Sequence, residues 1–364
     1  KCIYCDYYSL EKREEEIPQF MDMLIQEIKL TTLDSHENWV FDTLFFGGGS
    51  PSLMEPKLME KVLNALHHFF DISQVKEITL EINPGEISRQ QLTEFRKLGI
   101  NRLSIGFQSL QSNLLTFLSR THSPKDCFTT YNNARDADFD NINVDMIFNI
   151  PGQSQKNWQA DLQQIIKLAP DHISAYSLTV EQNTPLFTKV QNGQVTIPHE
   201  EMGLNMFEYC REHLNTYGYN QYEISNYTRE KMECHHNLHY WNLEPYLAFG
   251  PSAHRYDGHT RSWNVSSLDT YMQKLAQNEN PISGSEILSK NDHYNETVFN
   301  GLRMQEGIEL QKLKSLNANS EKMNQTIIKW KERLNVTKDS ISIKNNYYRY
   351  ADEIASEMMI TELQ

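Results

Sequence analysis

Two thiols and a run of glycines are the first groups in this chain able to do chemistry. Lys1-Cys2-Ile3-Tyr4-Cys5 sets two cysteines at a C-x2-C spacing, close enough for both thiolates to bite one metal ion or cluster. Further on, Phe45-Phe46-Gly47-Gly48-Gly49-Ser50 ends an apolar stretch in three glycines, whose bare backbone N–H and C=O groups can approach a ligand closely. Taken alone, the cysteine pair fits a zinc or redox site as well as a cluster. The glycine loop beside it points to an iron–sulfur cluster next to a small-molecule site.

These groups need a frame, and the apolar pattern supplies one. Residues 17–30 carry apolar side chains at helical spacing, and 40–46 read as a buried strand that runs into the glycines. The alternation then repeats: helix 58–70, strand 77–82, helix 88–98, strand 102–107, helix 114–118, helix 125–137, strand 142–150, helix 155–168 and strand 172–179. Alternating strands and helices, with the strands read as near-continuous apolar runs, predict a parallel sheet with helices outside, either doubly wound or an open or closed barrel. In such folds the loops at the C-terminal strand ends build the site. Those ends carry Gly47-Gly48-Gly49-Ser50, Glu81 with Asn83-Pro84, Gln108-Ser109, Asp145, and Thr179 with Glu181, with Arg120 closing the segment Phe117-Leu118-Ser119-Arg120.

Beyond residue 182 the alternation fades. Residues 183–284 are rich in Tyr, His and Asn and read as an excursion carrying ligands. From 285 to 364 helices return, followed by a Ser340-Ile341-Ser342-Ile343 strand with turn residues Lys344-Asn345-Asn346 and a terminal helix from Tyr350, a winged-helix-like tail. Three units are therefore expected: a β/α unit over 1–182, the excursion over 183–284 and the tail over 285–364.

The bulk numbers exclude some functions. A net charge of −14 argues against a nucleic-acid surface, since phosphate binding needs a basic footprint. No apolar run is long enough to span a bilayer, so no integral membrane segment is expected. The five cysteines are odd in number and follow no disulfide spacing, as expected of reduced thiols in a cytoplasmic protein. A chain that opens on Lys1 reads as part of a longer product.

Four stretches carry a resemblance. Cys2 and Cys5 match the last two positions of the C-x3-C-x2-C cluster loop of radical S-adenosylmethionine (SAM) proteins, whose first cysteine would stand ahead of Lys1. Gly99-Ile100-Asn101-Arg102-Leu103-Ser104-Ile105-Gly106-Phe107-Gln108-Ser109, Asn143-Val144-Asp145-Met146-Ile147-Phe148-Asn149-Ile150-Pro151-Gly152-Gln153 and Tyr222-Glu223-Ile224-Ser225-Asn226-Tyr227 resemble the radical SAM oxygen-independent coproporphyrinogen III oxidase family. The likeness runs over nearly the whole chain. It implies a partial (β/α)6 TIM-like barrel with its first strand before Lys1, and a [4Fe–4S] cluster on Cys2 and Cys5. It also implies SAM contacts from Gly48, Gly49, Ser50, Glu81, Gln108, Arg120 and Asp145. Asn149 departs from the pattern, standing where the family often has glycine.

That family has an oxidase branch and a heme-chaperone branch. The oxidases carry a further cysteine two residues after the third cluster ligand; here that position is Tyr7. The chaperones carry a His-Asn-x-x-Tyr-Trp segment, matched by His236-Asn237-Leu238-His239-Tyr240-Trp241 behind Cys234 and His235. Imidazole and thiolate are common axial ligands of heme iron, and the Tyr240–Trp241 pair can pack on a macrocycle. The same residues also suit a satisfied polar cluster under the barrel mouth, or a zinc site shared with Cys2 and Cys5. The resemblance favours heme through His236, Tyr240 and Trp241, and a chaperone that passes heme to an acceptor protein. Coproporphyrinogen III dehydrogenase is the alternative, with no catalytic side chain assigned.

Overall fold

A computed structural model describes residues 1–34, 39–316 and 320–360. Its centre is a parallel sheet of β1 (Thr43–Phe46), β2 (Glu77–Ile82), β3 (Arg102–Gln108), β4 (Asn141–Phe148) and β5 (His172–Ser177), each paired with the next. Two short strands, β6 (Asn220–Gln221) and β7 (Asn226–Thr228), extend it antiparallel past β5, giving the order β1-β2-β3-β4-β5-β7-β6. The helices between these strands start where local chemistry tells them to. Ser88, Ser123 and Ser154 each form a capping box with the residue three places on, which satisfies two of the N–H groups that a helix start leaves unpaired.

The strands are not the continuous apolar runs that the sequence reading takes them for. They alternate. Leu80, Leu103, Ile105, Phe107, Ile142, Val144, Met146 and Ile173 point outward into a core shared with Leu92, Phe95, Trp158, Leu162 and Ile165. The opposite positions, Glu77, Thr79, Arg102, Ser104, Asn143, Asp145, His172 and Ser174, line a polar interior. Period-two alternation is what a curved sheet requires when one face meets helices and the other encloses a site. It also places Asp145 in the middle of β4 and not at its end.

Three further elements close around this sheet. A second sheet, β8 (His254–Tyr256), β9 (Thr260–Asn264) and β10 (Ile282–Ile287), is anchored to helix Ile17–Asp34 through Glu27. That buried carboxylate accepts from Gly250 N, Asn264 Nδ2 and Tyr271 Oη at 2.8, 2.6 and 2.6 Å and lies 3.5 Å from Arg255. The C-terminal part runs helix Lys290–Arg303, β11 (Ile308–Glu309), helices Leu310–Ser315 and Ser320–Trp330, then β12 (Leu334–Val336) and β13 (Ser340–Ile343). Helix, strand, two helices and a hairpin make a winged-helix arrangement around Val298, Leu313, Ile341 and Ile354. The hairpin turn is Thr337-Lys338-Asp339, where the Thr337 hydroxyl accepts from Asp339 N and Ser340 N. The expected turn residues Lys344-Asn345-Asn346 instead lead into a 3-10 helix, because β13 pairs backward with β12 and leaves them past the hairpin. The third element, helix His235–Asn242, sits against the interior side of β1.

Candidate functional site

Two clusters of functional side chains occupy the barrel interior, one at the strand ends and one below it. At the strand ends the exposed glycine loop after β1 folds back onto β2: Gly48 N donates to Glu81 Oε2 at 3.0 Å. Gly48 has φ +101°, and a side chain on Gly47 would stand 2.9 Å from the Glu81 carboxyl, so both positions require glycine. Arg120 ties the next elements together. Its Nη2 donates to Asn83 Oδ1 at 2.6 Å and to the Gly106 carbonyl at 2.9 Å, while Nη1 lies 3.6 Å from Cys2 Sγ. Asn83 in turn donates to Ser50 Oγ at 3.1 Å and Glu86 Oε2 at 3.0 Å. Gln108 leaves β3 at φ 65°, and its amide would meet a side chain on Gly106 at 2.8 Å. The structure thus brings Cys2, Ser50, Gln108 and Arg120 to one mouth, with Glu81 on the glycine loop.

Asp145 sits one layer deeper, accepting from Ser104 Oγ at 2.9 Å and Asn143 Nδ2 at 2.8 Å. Burial first, and then the Asp145 charge, push the Glu81 carboxyl up to about 7. Below them runs a buried chain of hydrogen bonds: Asn143 Oδ1 to His172 Nδ1 at 2.7 Å, His172 Nε2 to Tyr222 Oη at 2.9 Å, and Cys234 N to the same hydroxyl at 3.4 Å. Burial drives His172 well below the ordinary imidazole range. It therefore acts as a neutral bridge and carries no charge.

The second cluster is helix His235–Asn242. Its N-terminus is held by Glu77 of β2, which accepts from His235 N and His236 N at 3.0 and 3.1 Å and from Cys234 Sγ at 3.5 Å. A carboxylate at a helix start satisfies unpaired N–H groups and complements the helix dipole. His236 lies flat on Phe45, with Nδ1 2.9 Å from Thr43 Oγ1 and Nε2 3.0 Å from Tyr240 Oη. Burial holds it down to about 4, so the ring is neutral at physiological pH and keeps one nitrogen lone pair for a ligand or a hydroxyl. Tyr240 and Trp241 face a cavity of about 300 Å³ that also takes in Tyr176, Glu223, Asn226 and Arg303. The two clusters meet at β1 and β2, which carry both the glycine loop and the supports of the helix.

Sequence reasoning missed Phe45, Glu77 and Arg303 as site residues. Glu77 alone left a usable signal: in Glu77-Ile78-Thr79-Leu80-Glu81-Ile82 the polar residues alternate, placing Glu77 on the same face as Glu81. Asn149 has φ 62°, a left-handed conformation that asparagine tolerates nearly as well as glycine, so the departure from the family pattern preserves the backbone. Its amide rests against Gly203, where a side chain would come within 3.0 Å.

Cys2 and Cys5 suit a cluster. The Cys5 N–H reaches the Cys2 carbonyl at 3.4 Å in a tight turn, both thiols are partly exposed, and the Arg120 guanidinium lies beside Cys2. Among the described residues no three His, Cys, Asp or Glu side chains gather to hold an ion.

Known proteins share this architecture. The family described as the radical SAM superfamily matches residues 1–165. Heme chaperone HemW of Bacillus subtilis (strain 168) is 32% identical over 308 residues, which span 84% of this chain and 81% of that protein. Radical S-adenosyl methionine domain-containing protein 1, mitochondrial, of Bos taurus is 34% identical over 322 residues, spanning 85% of this chain and 71% of its own length. Among solved structures, coproporphyrinogen III oxidase (HemN) from Escherichia coli superposes with a TM-score of 0.85 over 98% of this chain and 87% of its own, at 18% identity, a likeness of fold alone. Given these relatives, the chain belongs to the HemW heme-chaperone family within the radical SAM superfamily.

Proposed function

We propose that this chain binds heme against helix His235–Asn242 and passes it to an acceptor protein, with a [4Fe–4S] cluster on Cys2 and Cys5 and SAM at the glycine loop. One observation carries the reading: the His236–Trp241 segment is built into the barrel as a rigid ligand-bearing helix, pinned by Glu77 at its start and opening on a cavity at its aromatic end. A helix held this way presents imidazole, phenol and indole in fixed register, as a heme site needs. When bound, the cluster supplies single electrons to SAM. The chain's own groups do the holding. The glycine loop offers backbone to the methionine part, Glu81 and Gln108 offer acceptors to hydroxyls, and Arg120 offers a cation to a carboxylate.

The coproporphyrinogen oxidase alternative has less support. Its extra cysteine is replaced by Tyr7, which is 62% exposed and offers no thiolate to an iron. The relatives' identity lies with the chaperones, and the oxidase shares the fold at 18%. A cytoplasmic setting suits the reading, since all five thiols are unpaired and, among the described residues, no helix is long and apolar enough to cross a membrane. The test is anaerobic reconstitution of the full-length protein, followed by parallel assays for heme binding and for carbon dioxide release from coproporphyrinogen III. Heme binding without decarboxylation supports the proposal; decarboxylation with SAM consumed replaces it with the oxidase reading.

A further inference from the structure

The cavity beside Tyr240 and Trp241 is walled by polar groups that the protein leaves unmatched. Glu223 and Asn226 are almost wholly buried, at 0% and 2% exposure, yet Glu223 Oε2 and Asn226 Oδ1 have no protein partner. Nor do two donors in the same wall, Arg303 Nε and Trp241 Nε1. Each unmatched buried group costs free energy, so several around one cavity mark a place where a polar ligand or solvent completes the structure.

The donors indicate which ligand. The Arg303 guanidinium stacks over the Trp241 ring at 5.2 Å and over Phe299 at 5.5 Å, and its Nη1 lies 3.5 Å from the exposed Asp352. That fixes in the cavity wall a planar guanidinium whose Nε is unmatched, a donor group of the kind that pairs with carboxylates. Trp241 Nε1 is a second unmatched N–H among the residues that line the cavity. At about 300 Å³ the cavity is too small for a whole tetrapyrrole but large enough for one acidic arm. Tyr240 lines the cavity and its hydroxyl reaches His236 Nε2, so a macrocycle held at His236 would lie next to the cavity.

We infer that this cavity is a carboxylate subsite that takes a propionate arm of the bound tetrapyrrole, with Arg303 and Trp241 as its donors. The inference rests on the heme reading above. Glu223 shares that wall: burial raises its carboxyl above the ordinary range, with the Arg303 guanidinium pulling the other way. Asn226 holds that carboxyl from the opposite side through its amide on Glu223 Oε1.

The experiment titrates the full-length reconstituted protein with ferric protoporphyrin IX and, separately, with its dimethyl ester, following the Soret band. The acid should bind about tenfold more tightly than the ester, the scale expected of hydrogen bonds to a charged group. Arg303→Gln should erase most of that difference by weakening the acid alone. Trp241→Phe keeps an aromatic ring under Arg303 while removing the Nε1–H together with the five-membered ring of the indole, and should narrow the difference in the same direction, which preserves the test if Arg303→Gln folds poorly. Equal affinity of the wild type for acid and ester overturns the subsite while the chaperone reading stands. Parallel loss of both ligands in both variants also overturns it, as the mark of a merely structural role. Failure of the wild type to bind either ligand overturns the subsite and the heme reading together.

Discussion

The His236 imidazole lies on the Phe45 ring, centroids 5.0 Å apart and planes 22° from parallel. Phe45 also touches the glycine loop, since a side chain on Gly47 would fall 2.7 Å from its ring. One aromatic side chain therefore contacts both the loop read as the SAM site and the helix read as the heme site. Phe45→Ala should lower stability by about 1–2 kcal/mol and weaken both ligands. Denaturant unfolding and two separate titrations check this. A variant that loses one ligand and keeps the other at wild-type affinity rules out the coupling through Phe45.

Glu77 should matter more than a lone strand carboxylate would. Glu77→Ala leaves the His235 and His236 N–H groups without their acceptor and removes a negative charge near the buried Arg102. The expected cost is about 2–4 kcal/mol, read as a shift in the urea midpoint, with heme affinity falling further than SAM affinity. A change of about 0.5 kcal/mol or less, typical of surface sites, would contradict the assigned role.

The pH dependence follows from Glu81. Its carboxyl stands at about 7 in the folded chain against 4.5 when unperturbed, so between those values the folded state holds a proton that the unfolded state has lost. This group's contribution to stability is therefore greatest at low pH and declines as pH rises through about 7. Ligand hydroxyls that donate to Glu81 favour its ionised form. SAM affinity should then increase from about pH 6 to pH 8 and level off above. Glu81→Gln should bind more weakly and show no such slope; calorimetry across pH tests both, and a flat wild-type profile would count against Glu81 as a SAM contact.

Gly106 keeps room for two proposed SAM contacts. A methyl group there would lie 2.8 Å from Gln108 Nε2 and 3.2 Å from Arg120 Nη2. Gly106→Ala should displace both side chains, leave circular dichroism near wild type, and weaken SAM about tenfold. Unchanged SAM affinity would mean that neither side chain contacts the ligand.

Much of this was legible in the residues themselves. Apolar periodicity located the helices between the strands to within a few positions, and motif residues such as Glu81 and Gln108 are legible because each sits at or next to a strand end, while Arg120 lies in the loop between helices Ser112–Phe117 and Pro124–Asp136. What stayed hidden depends on contacts between distant segments. Glu77 meets His235 across 158 residues, and Arg303 meets Trp241 through the C-terminal domain. The hairpin turn was misplaced because Lys344-Asn345-Asn346 looks like a turn locally, while the pairing of β12 with β13 puts the reversal at Thr337-Lys338-Asp339. The polar lumen was overlooked where strands were judged by apolar content and not by alternation.

The most direct test of the account is heme titration of the full-length, anaerobically reconstituted protein and its His236→Ala variant, followed by the Soret band. The wild type should bind one heme per chain with a distinct Soret maximum, and His236→Ala should shift that maximum and bind at least about tenfold more weakly, since the axial bond sets both. An unaltered spectrum and affinity in His236→Ala would contradict the assignment of the heme to helix His235–Asn242.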